Sequence, residues 1–191
     1  MEIVKSVCMS GGAEGADSIF GACALAAGHD LVHFTFKNHK LKFEKDNKQL
    51  SYIHVLTQDE LNIADEYLIQ ANEVVGRKFP SSSLYVNNLL RRNYYQIKDS
   101  DACYAVSKIE QGKIAGGTAW ATAMFVVKNN FNACPCYVFC QITEKWHEWS
   151  GTNWNEIISP PKFKDGLVYA GIGSRRDIVD AGTNAILELY E

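Results

Sequence analysis

Three apolar runs in this chain lead into glycine and then into a helical pattern. Ile3–Met9 runs into Ser10-Gly11-Gly12-Ala13, Ala102–Val106 lies upstream of Gly116-Gly117-Thr118, and Leu167–Ala170 runs into Gly171-Ile172-Gly173-Ser174. A strand that turns on glycine into a helix is the repeating unit of a parallel sheet, so the chain is read as α/β. In such a sheet the turns that follow the strands all lie at its carboxyl edge, where ligands bind. Glycine lets backbone N–H groups come close to a ligand, and the helix N-terminus behind favours an anion such as phosphate. The three turns therefore point to a phosphate-bearing ligand. None is a Walker A loop, because no Gly-Lys-Ser/Thr follows, and none completes Gly-x-Gly-x-x-Gly.

The rest of the chain fits this alternation. Glu14–Ala27 reads as a helix with Ile19, Phe20, Cys23, Ala24 and Ala27 on one face, closed by Gly28. Leu31–Phe36 is a second strand. Asn38–Asn47 is polar and lysine-rich, and Lys37–Leu56 as a whole reads as a loop or a small hairpin. Thr57, with Glu60 at the capping-box position, starts one long helix through Val75, stopped by Gly76. Helices are expected at Ser83–Lys98 and Thr118–Lys128, a strand at Cys136–Cys140, edge structure or loop through Trp154, and a final helix to Tyr190. Nothing resembling a linker or repeat divides residues 1–191, which are expected to form a single domain.

Charge and composition narrow the partners. Apolar residues make up 47% of the 191, enough for a core, and the formal net charge is −3. A chain that binds nucleic-acid backbone without specificity normally carries a basic surplus, so nucleic acid is not the expected partner. No apolar run approaches the ~20 residues that cross a bilayer, and the first ten residues lack the form of a secretory signal. A cytoplasmic location follows, with no membrane partner. The six cysteines suit it as small buried hydrophobes, and Cys134-Pro135-Cys136 lacks zinc-site spacing. Neither a metal nor a cofactor is expected.

Ser10-Gly11-Gly12-Ala13-Glu14-Gly15-Ala16-Asp17 resembles the Ser-Gly-Gly-Ala-x-Gly-(Ile/Ala)-Asp motif of the SLOG superfamily, which includes DNA-processing protein A, the YpsA-type proteins and the LOG phosphoribohydrolases. Asn93–Val106, with Asp99-Ser100-Asp101-Ala102 inside it, is similar to the segment that precedes the LOG glycine motif. Ala115-Gly116-Gly117-Thr118-Ala119-Trp120 resembles the Gly-Gly-Thr-Gly-Trp motif of small bacterial and phage members. The resemblance implies a Rossmann-like parallel sheet with helices on both faces. Gly171-Ile172-Gly173-Ser174-Arg175 is similar to an element that precedes the Ser-Gly-Gly-Ala strand in DNA-processing protein A. Here it follows, so the chain reads as circularly permuted relative to that protein. The last strand should then pair beside the first, with Arg175 directed into the shared pocket.

The same resemblance implies a function. LOG enzymes cleave the N-glycosidic bond of a nucleoside monophosphate with an arginine and a glutamate. Arg92 matches the arginine, with Arg91 as its competitor, but Thr122 and Ala123 stand where the acid would be, and Thr118–Lys128 holds no carboxylate. Such hydrolysis needs a carboxylate, so the chain is read as a binder rather than a catalyst. Some SLOG domains sense NAD-derived nucleotides. The implied role is capture of an ADP-ribose or cyclic ADP-ribose type signal, by sensing or by sequestration as in a phage anti-defence sponge. The alternatives are LOG-like hydrolysis and, second, single-stranded DNA binding. Ligand-binding residues are expected to be Gly11, Gly12, Ala13, Asp17, Arg92, Gly116, Gly117, Thr118, Trp120, Ser174 and Arg175, in a homo-oligomer. Three assignments stay open at the level of sequence. Asp17 suits a ribose contact or a brace for its turn, and Trp120 a stacked base or the core. Trp146, Trp149 and Trp154 suit a stacking wall or a cover for the sheet edge.

Overall fold

The strand expected at Ile3–Met9 begins at Val7 in the computed structural model of the chain, which describes residues 4–42 and 51–191. Residues 1–3, with Ile3, and residues 43–50, with the second half of the lysine-rich stretch, lie outside the described residues. In chain order the first half comprises β1 (Val7–Ser10), α1 (Ala16–Ala26), β2 (Asp30–Phe36), β3 (Tyr52–Leu56), α2 (Gln58–Ile63), α3 (Asp65–Val75) and α4 (Leu84–Ile97). The second half comprises β4 (Ala102–Ser107), β5 (Ile109–Glu110), β6 (Lys113–Ile114), α5 (Thr118–Lys128), β7 (Cys136–Cys140), β8 (Lys145–Trp149), β9 (Trp154–Ile157), β10 (Val168–Gly173) and α6 (Asp180–Glu188).

Eight strands form one sheet in the order β3-β2-β1-β10-β4-β7-β8-β9. The first six in that order are mutually parallel, and β8 and β9 extend the sheet as antiparallel edge strands. The architecture is Rossmann-like α/β, with a mixed rather than wholly parallel sheet. β10 pairs in parallel with β1, Val7 opposite Val168 and Met9 opposite Ala170, which is the pairing that the permutation requires.

Alternation along the strands sorts side chains between two helical layers. Cys103, Ala105, Val138, Ala170 and Ile172 pack under α3, α4 and α5. Tyr104, Val106, Tyr137, Phe139 and Tyr169 pack on the opposite face with α1 and α6. A third cluster joins Phe34, Phe36 and Leu56 to Leu61 of α2 and Tyr95 of α4.

Three expectations need correction, and one element is new. Tyr52–Leu56 is neither loop nor hairpin. It pairs in parallel with β2, Val32 opposite Tyr52, which brings Leu56 under Leu61 and Tyr95. The helix from Thr57 to Val75 is interrupted at Ala64. Thr57 and Glu60 form the capping box, and Gly76 ends α3 at φ +64°. However, the Tyr95 hydroxyl donates to the Glu60 carbonyl at 2.5 Å, and the Ala64 N–H turns to Leu61 O instead. Gly171 and Gly173 belong to β10 rather than to a turn. A Cβ at Gly171 would sit 2.6 Å from the Phe20 ring, and one at Gly173 would overlap Val106 O, so glycine here permits close packing on α1 and β4. The β5–β6 hairpin, which carries the chain from β4 to Gly116, is a further element without a counterpart in the sequence reading.

Candidate functional site

β1 leads through α1 to β2 on one side, and β4 leads through α5 to β7 on the other, with β10 between them. Connections that diverge in this way leave a crevice beyond the carboxyl ends of the strands. The turn after β1, the start of α5 and the segment after β10 all border it.

Arg92 of α4 holds the centre. Its side chain is 7% exposed, Nη1 donates to Gly11 O at 2.6 Å, and Nη2 donates to Asn93 Oδ1 at 3.0 Å. Asn93 Nδ2 in turn donates to Gly117 O at 3.4 Å, so the first and second glycine turns are tied through adjacent residues of one helix. A Cβ at Gly11 would overlap the Arg92 guanidinium, which is why only glycine fits there. Asp17 Oδ2 lies 3.6 Å from Arg92 Nη1. Burial pushes the Asp17 carboxyl up from the usual carboxylate range, while Arg92 and the nearby backbone N–H groups of Gly173, Gly11 and Ala13 pull it down. Asp17 therefore sits as a brace that binds the turn of β1 to the end of β10.

Arg175 follows β10 on this edge, beside Ser174, whose carbonyl accepts from Ala16 N at 3.0 Å. The Arg175 charge reaches Arg92 and His39. Arg92 is disfavoured as a cation first by burial, is supported by Asp17, and is opposed again by Arg175. The Nε–H groups of both arginines are buried without a hydrogen-bond partner among the described residues. Two guanidiniums thus lie near each other on this edge, and Arg92, the buried one, has a carboxylate beside it. This arrangement is an attractive centre for an anion able to accept from both.

His33, opposite Ser10 in β2, underlies Gly12. Burial and Arg92 push its imidazole down to about 4, and burial with Arg92 and Arg175 pushes His39 down to about 3. Both histidines are neutral near pH 7 and add no positive charge. The sequence reading missed this pair; the one signal available was the alternation of β2, which puts His33 level with the first glycine turn.

The remaining expected residues separate. The Gly11-Gly12 turn is covered: Leu41 lies against Gly12, the Lys42 N–H donates to Gly12 O at 2.9 Å, and Lys42 pairs with Glu14 at 3.8 Å. Gly116 and Gly117 are open, with nothing within 4 Å of where a Cβ would stand. Thr118 is buried at the start of α5 and its carbonyl accepts from Thr122 Oγ1 at 3.0 Å, so Thr122 spends its hydroxyl on its own helix. Trp120 is a core side chain, 4% exposed and tilted against Phe79. Arg91, the competitor of Arg92, donates to both Asp65 oxygens, at 2.6 and 2.8 Å, and locks α4 to α3. The six cysteines are free and buried, and burial pushes Cys8 and Cys134 up to about 12. No helix among the described residues is long and apolar enough to cross a membrane.

No family model matches the chain, and no curated protein matches it in sequence. Among solved structures, the fold is similar to that of a protein from Syntrophus aciditrophicus SB described as a "Putative molybdenum carrier protein". The TM-score is 0.52 at 14% identity, over 98% of this chain and 92% of that one. At that identity the likeness is one of fold, and it extends the Rossmann-like reading across nearly the whole chain.

Proposed function

We propose that the chain binds a nucleotide-derived small molecule at the carboxyl edge of its sheet, as SLOG proteins do, and senses or sequesters it without turnover. The observation that carries this reading is the pair of neighbouring guanidiniums, Arg92 and Arg175, each with a buried Nε–H that has no partner among the described residues, Arg92 also lying beside Asp17. A phosphate or pyrophosphate accepts from both, and an ADP-ribose or cyclic ADP-ribose type ligand supplies one. The description of the Syntrophus aciditrophicus protein as a carrier supports a small-ligand role, so molybdate joins the panel of compounds. LOG-like hydrolysis is the alternative, and it is weakened by Thr122, by the apolar length of α5 and by the bracing position of Asp17. Single-stranded DNA binding is the second alternative, against which the net charge of −3 counts. A cytoplasmic homo-oligomer belongs to the same proposal.

The test is calorimetric titration with ADP-ribose, cyclic ADP-ribose, AMP, molybdate and single-stranded DNA, followed by mass spectrometry of what the heated protein releases. Intact recovery of an ADP-ribose compound is expected. The Arg175→Ala variant should bind it at least about tenfold more weakly while melting as the parent does, because a charge-assisted contact is worth ~1.5–3 kcal/mol. Ribose 5-phosphate with free base would establish hydrolysis instead. Tight, steeply salt-dependent DNA binding would establish the second alternative. Unchanged affinity in Arg175→Ala would remove the anion centre from the reading.

A further inference from the structure

Between α5, the end of α3 and the paired strands β8 and β9 lies a cavity of about 240 Å³ that neither Arg92 nor Arg175 lines. One wall is aliphatic, with Ala119, Ala123 and Val126 of α5 facing Val75 of α3. The other wall is Trp149 and Trp154, which stand directly opposite each other on β8 and β9 with ring centroids 5.3 Å apart at 57°. Alanines at 119 and 123, one helical turn apart, keep the two walls separated. Thr122 also lines the space, but its hydroxyl is already committed to Thr118 O and Ala119 O. The two walls are therefore aliphatic and aromatic, and the space between them is of a size for one planar ring system.

The mouth is cationic. Arg77 and Lys113 border both this cavity and an adjoining cleft of about 450 Å³ that reaches Gly116. Arg77 Nη1 and Nη2 donate to Gly116 O at 2.8 Å and Ile114 O at 3.3 Å, so the guanidinium is fixed in place. Among the described residues no carboxylate pairs with either cation. Glu110, opposite Lys113 in the β5–β6 hairpin, also lines the cleft but makes no ion pair with it. Gly76, Gly112 and Gly116 add no side chain to this mouth, with nothing within 4 Å of a Cβ position at any of the three.

We propose that this cavity is a second small-molecule site, separate from the Arg92–Arg175 centre, for a planar heteroaromatic ring that carries one anionic group. The ring lies between α5 and the tryptophan pair, and the anion meets Arg77 and Lys113. A ring buried against tryptophan and aliphatic groups uses apolar contact and stacking, and the unpaired cations at the mouth select charge. A mononucleotide and an aromatic carboxylate share this chemistry. The inference stands on the cavity alone and does not depend on the ligand of the first site.

The test is quenching of tryptophan fluorescence by 5′-AMP and by anthranilate, with adenosine and ribose 5-phosphate as controls that each lack one element. Saturable quenching is expected from at least one of the two ring anions, and which one responds identifies the source. Each control should be weaker by about tenfold, the worth of one charge-assisted contact or one stacked ring. Ala123→Leu fills the cavity and should abolish quenching. Lys113→Glu changes only an exposed side chain and should weaken it about tenfold, which keeps the test decisive if the filled variant does not fold. Arg175→Ala separates the two sites: quenching that survives supports a second site, and quenching that disappears overturns it. Absence of saturation with both ring anions, or ribose 5-phosphate as effective as 5′-AMP, would also overturn it.

Discussion

Arg91 and Arg92 are neighbours on one helix with opposite employment. A step of about 100° around α4 sends Arg91 to Asp65 and Arg92 to the glycine turn. The first is a structural ion pair; the second is held in place with a donor to spare. His33 shows the same economy of charge. Its imidazole is neutral in the fold, pushed down to about 4 by burial and by Arg92, against 6.5 when free. The unfolded chain therefore binds the extra proton between those values. Stability is whole above pH 6.5, declines as pH falls through the window, and levels off below about 4. The shift amounts to a loss on the order of 3 kcal/mol. Chemical denaturation across pH 4–7 should show the slope, and His33→Gln should reduce it, the remainder belonging to His39. An identical slope in the variant would clear His33 of the effect. Arg92 was readable from its distance to Ser100-Asp101-Ala102. The choice between the two readings of Asp17 was not, because the tie to Gly173 that makes it a brace joins residues remote in sequence and adjacent in space.

At the scale of elements, glycines with similar backbone angles do different work. Gly15 has φ +90° and a Cβ there would overlap the carbonyl oxygens of Ser174 and Arg175, whereas Gly28 has φ +79° and open space around it. Gly28→Ala should cost ~1 kcal/mol, the price of a left-handed conformation alone. Gly15→Ala adds a backbone collision between α1 and the segment after β10, and should cost upwards of ~3 kcal/mol. Paired thermal melts compare them directly, and equal costs would mean that the contact yields freely. The capping box and the stop at Gly76 were legible because they depend on residues a few positions apart. The interruption at Ala64 was hidden, since its cause is a tyrosine on another helix. The tryptophans of β8 and β9 were ambiguous for a similar reason: aromatic residues suit an edge strand and a ligand wall equally, and here Trp149 and Trp154 serve the sheet while lining a cavity.

For the molecule as a whole, β10 is the strand that makes one sheet out of two. Without it, β3-β2-β1 and β4-β7-β8-β9 share no ladder. A chain cut after Gly166 loses the central strand, α6 and the Arg175 side of the crevice. It should show no cooperative melting transition and should bind hydrophobic dyes; a sharp melt would show that the half-sheets stand alone. The adjacency of β1 and β10 was visible in the order of the motifs. The switch to antiparallel strands beyond β7 was not, although Ser150-Gly151 marks a turn, because the direction of an edge strand depends on its pairing with β7 rather than on its own residues.

The position of β10 also sets a schedule for synthesis. Nine strands leave the ribosome before the one that unites them, so the nascent chain carries two partial sheets whose inner edges, along β1 and β4, lie unpaired until Val168–Gly173 arrives. Exposed strand edges recruit other chains. The nascent protein is thus most vulnerable to aggregation late in translation, and a slowly decoded codon shortly before Val168 would lengthen that hazard.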